Sequence, residues 1–187
     1  LGDVYKRQDI RGLNYTYNAD GYIWKYLGVD KTTARAASEN DQNYIIYRLA
    51  DVLLMKAEAL IMQGHNEDAA DLIDRTRERA GLGETTLSDD RMVMLETLLV
   101  ERQKEFFGEG KNWFDLLRIG LRSEQLNDTQ YKTLFVEQAL KAVGASRQSL
   151  GRATLANSGS WYLPYSEDEL SKNPLLEQSD YYQSISN

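Results

Sequence analysis

Cysteine is absent from the 187 residues, histidine occurs once and proline twice. Without cysteine the chain has no disulfide, thiol nucleophile, iron–sulfur cluster or thiolate zinc site. With His65 alone, a histidine-rich metal centre is excluded, and any serine–histidine–aspartate triad would depend on that one ring. Basic residues number 22 against 29 acidic ones, so the positive excess that drives nucleic-acid binding is missing. No window approaches the ~20 apolar residues of a membrane span. There is no Gly-x-Ser-x-Gly elbow, and Gly108 and Gly110 flank Glu109, whose charge argues against a phosphate loop.

What is present is ordinary for a globular chain: 42% hydrophobic and 27% charged residues. The length suits one domain with a sizeable core. The aromatics are unevenly spread, with seven between Tyr15 and Tyr47 and five between Trp161 and Tyr182. The opening Leu1–Gln8 shows neither apolar period nor turn chemistry and reads as a vector or adapter scar. With no initiating Met and no signal-like apolar stretch, the chain is expected to be a fragment, any export signal lying upstream.

From residue 9 to 47 the pattern is short and irregular. Asn14–Asn18 alternates, Asp20-Gly21 marks a turn, and Tyr22–Tyr26 reads as a second short strand or extended segment. A polar loop is expected over 30–43. From residue 46 to 63 the period changes: Leu49, Leu53, Ala57, Leu60 and Ile61 recur at helical steps, widened by Val52 and Leu54, until Gly64. Asn66 is the expected N-cap of the next helix, with Glu67 and Asp68 in its first turn and Arg75, Arg77 and Arg79 near its end. Its inner face is Ala69, Leu72, Ile73, Thr76 and Ala80. A third helix is expected from Ser88 to Gly108 or Gly110, a short fourth from Asn112 to Ile119 stopping at Gly120, and a fifth over 129–143. Residues 144–160, rich in Gly, Ser, Ala and Asn, read as a loop. Ser166–Glu169 is a capping-box signature for a short helix that Pro174 follows.

The hairpin around Gly64 fits the tetratricopeptide pattern of paired antiparallel helices, with Leu53, Ala57, Leu60, Ala69 and Ile73 at its large and small positions. Lys56 and Gly81 depart from it. Carboxylates are the remaining catalytic option, but Glu101 and Glu105 lie one turn apart on one helix and cannot flank a glycosidic bond unaided. They are expected to form a solvated or salt-bridged face, Glu101 with Lys104 or Arg102 and Glu105 with Lys111 or Arg118. His65 reads as a polar turn residue, and Trp113 and Phe114 as core. Tyr15, Tyr17 and Tyr22 are the candidate ligand contacts, since Tyr rings stack on sugars and loops carry binding residues; the alternative is that they pack on the helices.

Several segments together resemble one family. Residues 48–59, Arg-Leu-Ala-Asp-Val-Leu-Leu-Met-Lys-Ala-Glu-Ala, resemble a signature of SusD/RagB nutrient-binding proteins. Residues 74–82, with Arg77, Arg79, Ala80, Gly81 and Leu82, are similar to the family's Arg-x-Arg-Ala-Gly-Leu. Glu101-Arg102, Glu105-Phe106, Glu109-Gly110 and Trp113–Arg118 match a further motif, and Tyr162–Tyr165 with Asn173-Pro174 and Gln178 resemble the closing one. Asp9-Ile10-Arg11 and Lys25-Tyr26 look like the pairs that precede the first helix. Tyr165 replaces a Pro of the closing motif, and residues 123–160 match nothing in the pattern.

The resemblance implies a mainly α fold, SusD-like, of tetratricopeptide-like antiparallel helix pairs with long irregular loops. It divides the chain, after the scar at 1–8, into an aromatic segment (9–47), a helical scaffold (48–120) and a C-terminal part (121–187). It implies a non-catalytic outer-membrane lipoprotein of Bacteroidetes-type bacteria, needing no cofactor. Such a protein passes an oligosaccharide, or in some branches a peptide, to a TonB-dependent, SusC-like transporter. The lipid-bearing Cys would lie upstream at the mature N-terminus. Arg48, Asp51, Glu58, Glu101, Arg102, Trp113, Asp115 and Arg118 are then expected to maintain the fold. A tetratricopeptide-type adaptor for a protein partner and a glycosidase are the other classes left open.

Overall fold

A computed structural model describes residues 9–12, 16–17, 23–26 and 44–186. Among them are eight α-helices: α1 (Leu49–Gln63), α2 (Asn66–Arg79), α3 (Arg91–Glu105), α4 (Asn112–Leu126), α5 (Thr129–Leu140), α6 (Ala145–Leu155), α7 (Glu167–Lys172) and α8 (Asp180–Ser186). The fold class is therefore mainly α, as expected. Of the two short strands expected near the start, the described residues keep one antiparallel bridge, Tyr17 to Ile23, and Trp24–Tyr26 is a 3-10 turn. The chain forms two compact units, Leu1–Asp115 and Leu116–Asn187, divided within α4.

In the first unit α1, α2 and α3 pack on one another. Gly64 ends α1 in the left-handed conformation, φ 83°, and its N–H and the next return to the carbonyls of Ile61 and Leu60. Leu54, Ala57 and Ile61 of α1, Ala69 and Ile73 of α2, and Met94, Leu95 and Leu98 of α3 are fully buried. Ala57 and Ala69 let the backbones approach, while each large side chain contributes about 1.5–3 kcal/mol of burial.

Three local expectations need correction. Asn66 is the first residue of α2, not its cap; its side-chain amide donates to the carbonyl of Ser88, 2.8 Å away. Asp90 rather than Ser88 caps α3, accepting from the N–H of Met92 at 2.7 Å. The inner face of α1 is also turned about one residue from the expected stripe: Ala50, Asp51, Leu54, Ala57, Glu58 and Ile61 are buried, whereas Leu49 and Val52 are exposed. Cations inside the unit draw Asp51 inward, and that outweighs exposure of two apolar side chains.

In the second unit α5 starts at an Asp128 cap and α7 at Ser166, whose hydroxyl accepts from Glu169 N–H as the capping box requires. The Phe135 and Trp161 rings meet with centroids 4.4 Å apart, and the Trp161 indole donates to Leu155 O. Gly120 does not stop α4, which continues to Leu126. An added Cβ there would stand 3.0 Å from both Phe135 Cγ and Trp161 Cζ3, so glycine permits close packing. The expected loop at 144–160 is instead α6 followed by a 3-10 turn, Ser158–Trp161. Its Ala, Leu, Arg and Gln are good helix formers, and small polar composition concealed them. No side chain of α6 is fully buried, which removes the amphipathic signal.

Candidate functional site

Of the three candidate tyrosines, Tyr17 is described and buried, 7% exposed, its ring centroid 6.0 Å from that of Phe107. Tyr15 and Tyr22 lie outside the described residues. The one-turn spacing of Glu101 and Glu105 on α3 places both carboxylates on the same inner side. Glu109 joins them through a tight turn whose Gly108 and Gly110 take φ of 77° and 70°.

All three are almost fully buried, so of the solvated or salt-bridged face expected there the salt-bridged form holds, as an interior ion-pair network. Arg11 Nη1 lies 2.6 Å from Glu101 Oε1 and 3.0 Å from Glu105 Oε2, while its other nitrogens hold Asp9. Thr76 donates to Glu101 at 3.0 Å. Arg48 reaches Glu105 at 2.5 Å and Glu109 at 2.8 Å, and Lys25 reaches Glu109 at 2.6 Å. Arg79 also pairs with Glu105. The same cations serve the helix end: Arg48 and Lys25 donate to Glu105 O at 2.6 and 2.9 Å. That satisfies a carbonyl left open at the C-terminus of α3, where positive charge is also favoured.

A second cluster adjoins it. Arg102 donates to Asp115 at 2.8 Å and to Asp51 at 3.3 Å, and Lys111 pairs with Asp51. Phe106 lies between the clusters, with Arg48, Arg102 and Lys111 each 4.7–4.8 Å from its ring centroid. Asp115 on the inner side of α4 leaves Trp113 and Phe114 outward, 40% and 66% exposed, because they stand about 200° and about 100° from it around the helix. These two aromatics are thus surface residues and not core.

Burial raises the pKa of Glu105, Glu109 and Asp9, yet hydrogen bonds from Arg48, Arg79, Lys25 and Arg11 outweigh it and hold all three below their ordinary values. A carboxylate held ionised in this way is a poor general acid. Burial also lowers Lys25 and Lys104 despite nearby carboxylates. Among the described residues no group of three or more His, Asp or Glu stands ready to hold a metal ion, and no helix is long and apolar enough to cross a membrane.

Glu101, Glu105 and Arg48 are structural, as their pattern in the sequence implies, but the glutamates do not pair chiefly with neighbours in sequence. Their principal partners include Arg11, 90 residues from Glu101, and Arg48, 57 residues from Glu105. The signal for Arg11 and Lys25 was present in the short Asp9-Ile10-Arg11 and Lys25-Tyr26 pairs, without any indication of what they contact.

The profile of the SusD family matches residues 5–182. Three SusD-like proteins of Formosa agariphila are similar to the chain. One is 37% identical over 43% of this chain and 18% of its own length, and a second 36% identical over 54% and 21%. A third is 29% identical over 90% of this chain and 28% of its length. The chain thus spans less than a third of these relatives. Solved SusD superfamily structures are also similar. One from Bacteroides vulgatus has 32% identity and TM-score 0.51 over 74% of this chain and 27% of that one. Another, from Bacteroides fragilis, has 24% identity and TM-score 0.58 over 95% and 38%, and supports the fold alone.

Proposed function

The chain belongs to the SusD family, and from that premise we propose that it serves nutrient uptake by binding an oligosaccharide without transforming it. The observation that carries this reading is the profile match from residue 5 to 182, with the family's motifs in order. The depressed carboxylates agree with a binding role, since glycoside cleavage needs one acid kept protonated. The proposal extends to delivery of the glycan to a TonB-dependent, SusC-like transporter at the outer membrane, from a lipid-anchored position on the cell surface.

Tyr15, Tyr17 and Tyr22 are the proposed ligand contacts, the ring of Tyr17 lying beside that of Phe107. Affinity electrophoresis of the chain in gels containing different polysaccharides, followed by calorimetry with oligosaccharides of the retarding one, tests this. The Tyr15→Ala/Tyr22→Ala variant is expected to bind at least about tenfold more weakly, the loss of ~1.4 kcal/mol typical of aromatic contacts. Wild-type affinity in that variant removes Tyr15 and Tyr22 from the site. Release of reducing sugar would replace binding by hydrolysis. The α1–α2 hairpin favours the adaptor reading as the second possibility; stable capture of a soluble protein, with no glycan retarding the chain, would support it.

A further inference from the structure

A solvent-open pocket of about 300 Å³ lies over the ion-pair network of the first unit. Its described walls include Arg11, Lys25, Arg48, Arg79 and Lys104, whereas Glu105 is the one carboxylate among them. Asp9, Glu101 and Glu109, which hold several of these cations from other sides, are not part of the lining. Among the described residues, the five lining cations are held by four carboxylates, of which Glu101 also contacts Arg77 and Glu109 also contacts Lys111, a local excess of positive charge in a chain whose net charge is -7. The Lys104 side chain is 7% exposed and still borders the cavity. Arg79, by contrast, is 62% exposed along its side chain and lines the same cavity, held by Glu105.

Buried positive charge near a low-dielectric wall projects its field into the opening, where water screens it less than on an open surface. Guanidinium groups offer paired N–H donors matched to the oxygens of sulfate, phosphate and carboxylate. Burial and the neighbouring cations Arg48, Arg11 and Arg77 all disfavour charge on Lys25 and Lys104, a penalty that an incoming anion relieves. We infer that this pocket is a binding site for a small oxyanion group, received between the Arg79 guanidinium and the buried Lys104 ammonium. The inference stands apart from the glycan reading, because it requires none of the proposed tyrosine contacts.

The test is calorimetric titration of the whole chain with sodium sulfate at ionic strength held constant with sodium chloride, alongside thermal melting. Saturable binding at millimolar sulfate, with a melting temperature that rises and levels off, is expected. General stabilisation by sulfate would instead rise without saturation. Arg79→Gln, at an exposed side chain, is expected to weaken sulfate at least tenfold, and Lys104→Met should do so where it folds. Galactose 6-sulfate and glucuronate distinguish the source of the group. Tighter binding than inorganic sulfate identifies a sugar-borne oxyanion, and exclusion of both sugars identifies the free ion. Absence of saturable binding by every anion to cooperatively folded protein, or unchanged sulfate affinity in Arg79→Gln, overturns the inference.

Discussion

Arg102 illustrates how a single side chain can hold three segments. It is 3% exposed, donates to Asp115 and Asp51, and presents its guanidinium carbon 4.7 Å from the centre of the Phe106 ring. Its Nη1, buried without a hydrogen-bond partner, is on that aromatic-facing group. Arg102→Ala would leave two carboxylates inside without their shared cation. The expected destabilisation is about 3–5 kcal/mol, read as a lowered urea midpoint with little change in slope. Trp113→Ala, at a 40% exposed position, is expected to lose less than about 1 kcal/mol. Reversal of that order would show that Trp113, not the ion pair, anchors this part of the unit.

At the level of elements, two glycines inside helices separate packing from flexibility. In α4, Gly120 faces two rigid rings at 3.0 Å, so Gly120→Ala gains about 1 kcal/mol of helix propensity but overpacks the Phe135–Trp161 contact. The net is expected to be a destabilisation of about 1–2 kcal/mol, seen as a lower melting temperature. In α6, a Cβ at Gly151 would meet Leu140 Cδ2 at 2.6 Å, the movable end of a flexible side chain. Gly151→Ala is therefore expected to be neutral or stabilising by up to about 1 kcal/mol in the same melts. Equal behaviour of the two variants would mean that the rings yield as readily as the leucine.

The folded chain as a whole carries its buried carboxylates as a pH-dependent source of stability. Glu105 and Glu109 are held below 4.5 and Asp9 below 3.8, so protons bind them more weakly in the folded than in the unfolded state. Their contribution is fully present above those ordinary values and is lost as pH falls through the depressed ones. Circular dichroism melts from pH 7 to pH 2 should show a stability that holds down to about pH 5 and then declines. In Glu105→Gln, a weaker baseline with a shallower acid decline is expected, since one contributing carboxylate has been removed. A decline as steep as wild type would place the acid sensitivity elsewhere.

Local chemistry was sufficient to read most of the helices. The apolar period defined α1 to α3, Gly64 and Ser166 marked a stop and a start, and the ordered motifs identified the family before any contact was known. These features depend on residues within one or two turns of each other. Two departures show the limit of local reading. The α6 segment lacks an amphipathic stripe, and Gly120 looks like a stop until the rings opposite it are placed. The inward turn of Asp51, the pairing of Glu101 with Arg11 and the pocket over Lys104 are properties of tertiary structure. A charge spacing along a helix states which side chains share a face, but not whether that face meets water or a cation from 90 residues away. Only the packed chain brings those charges together in a low-dielectric interior, and there their mutual attraction decides which face is buried.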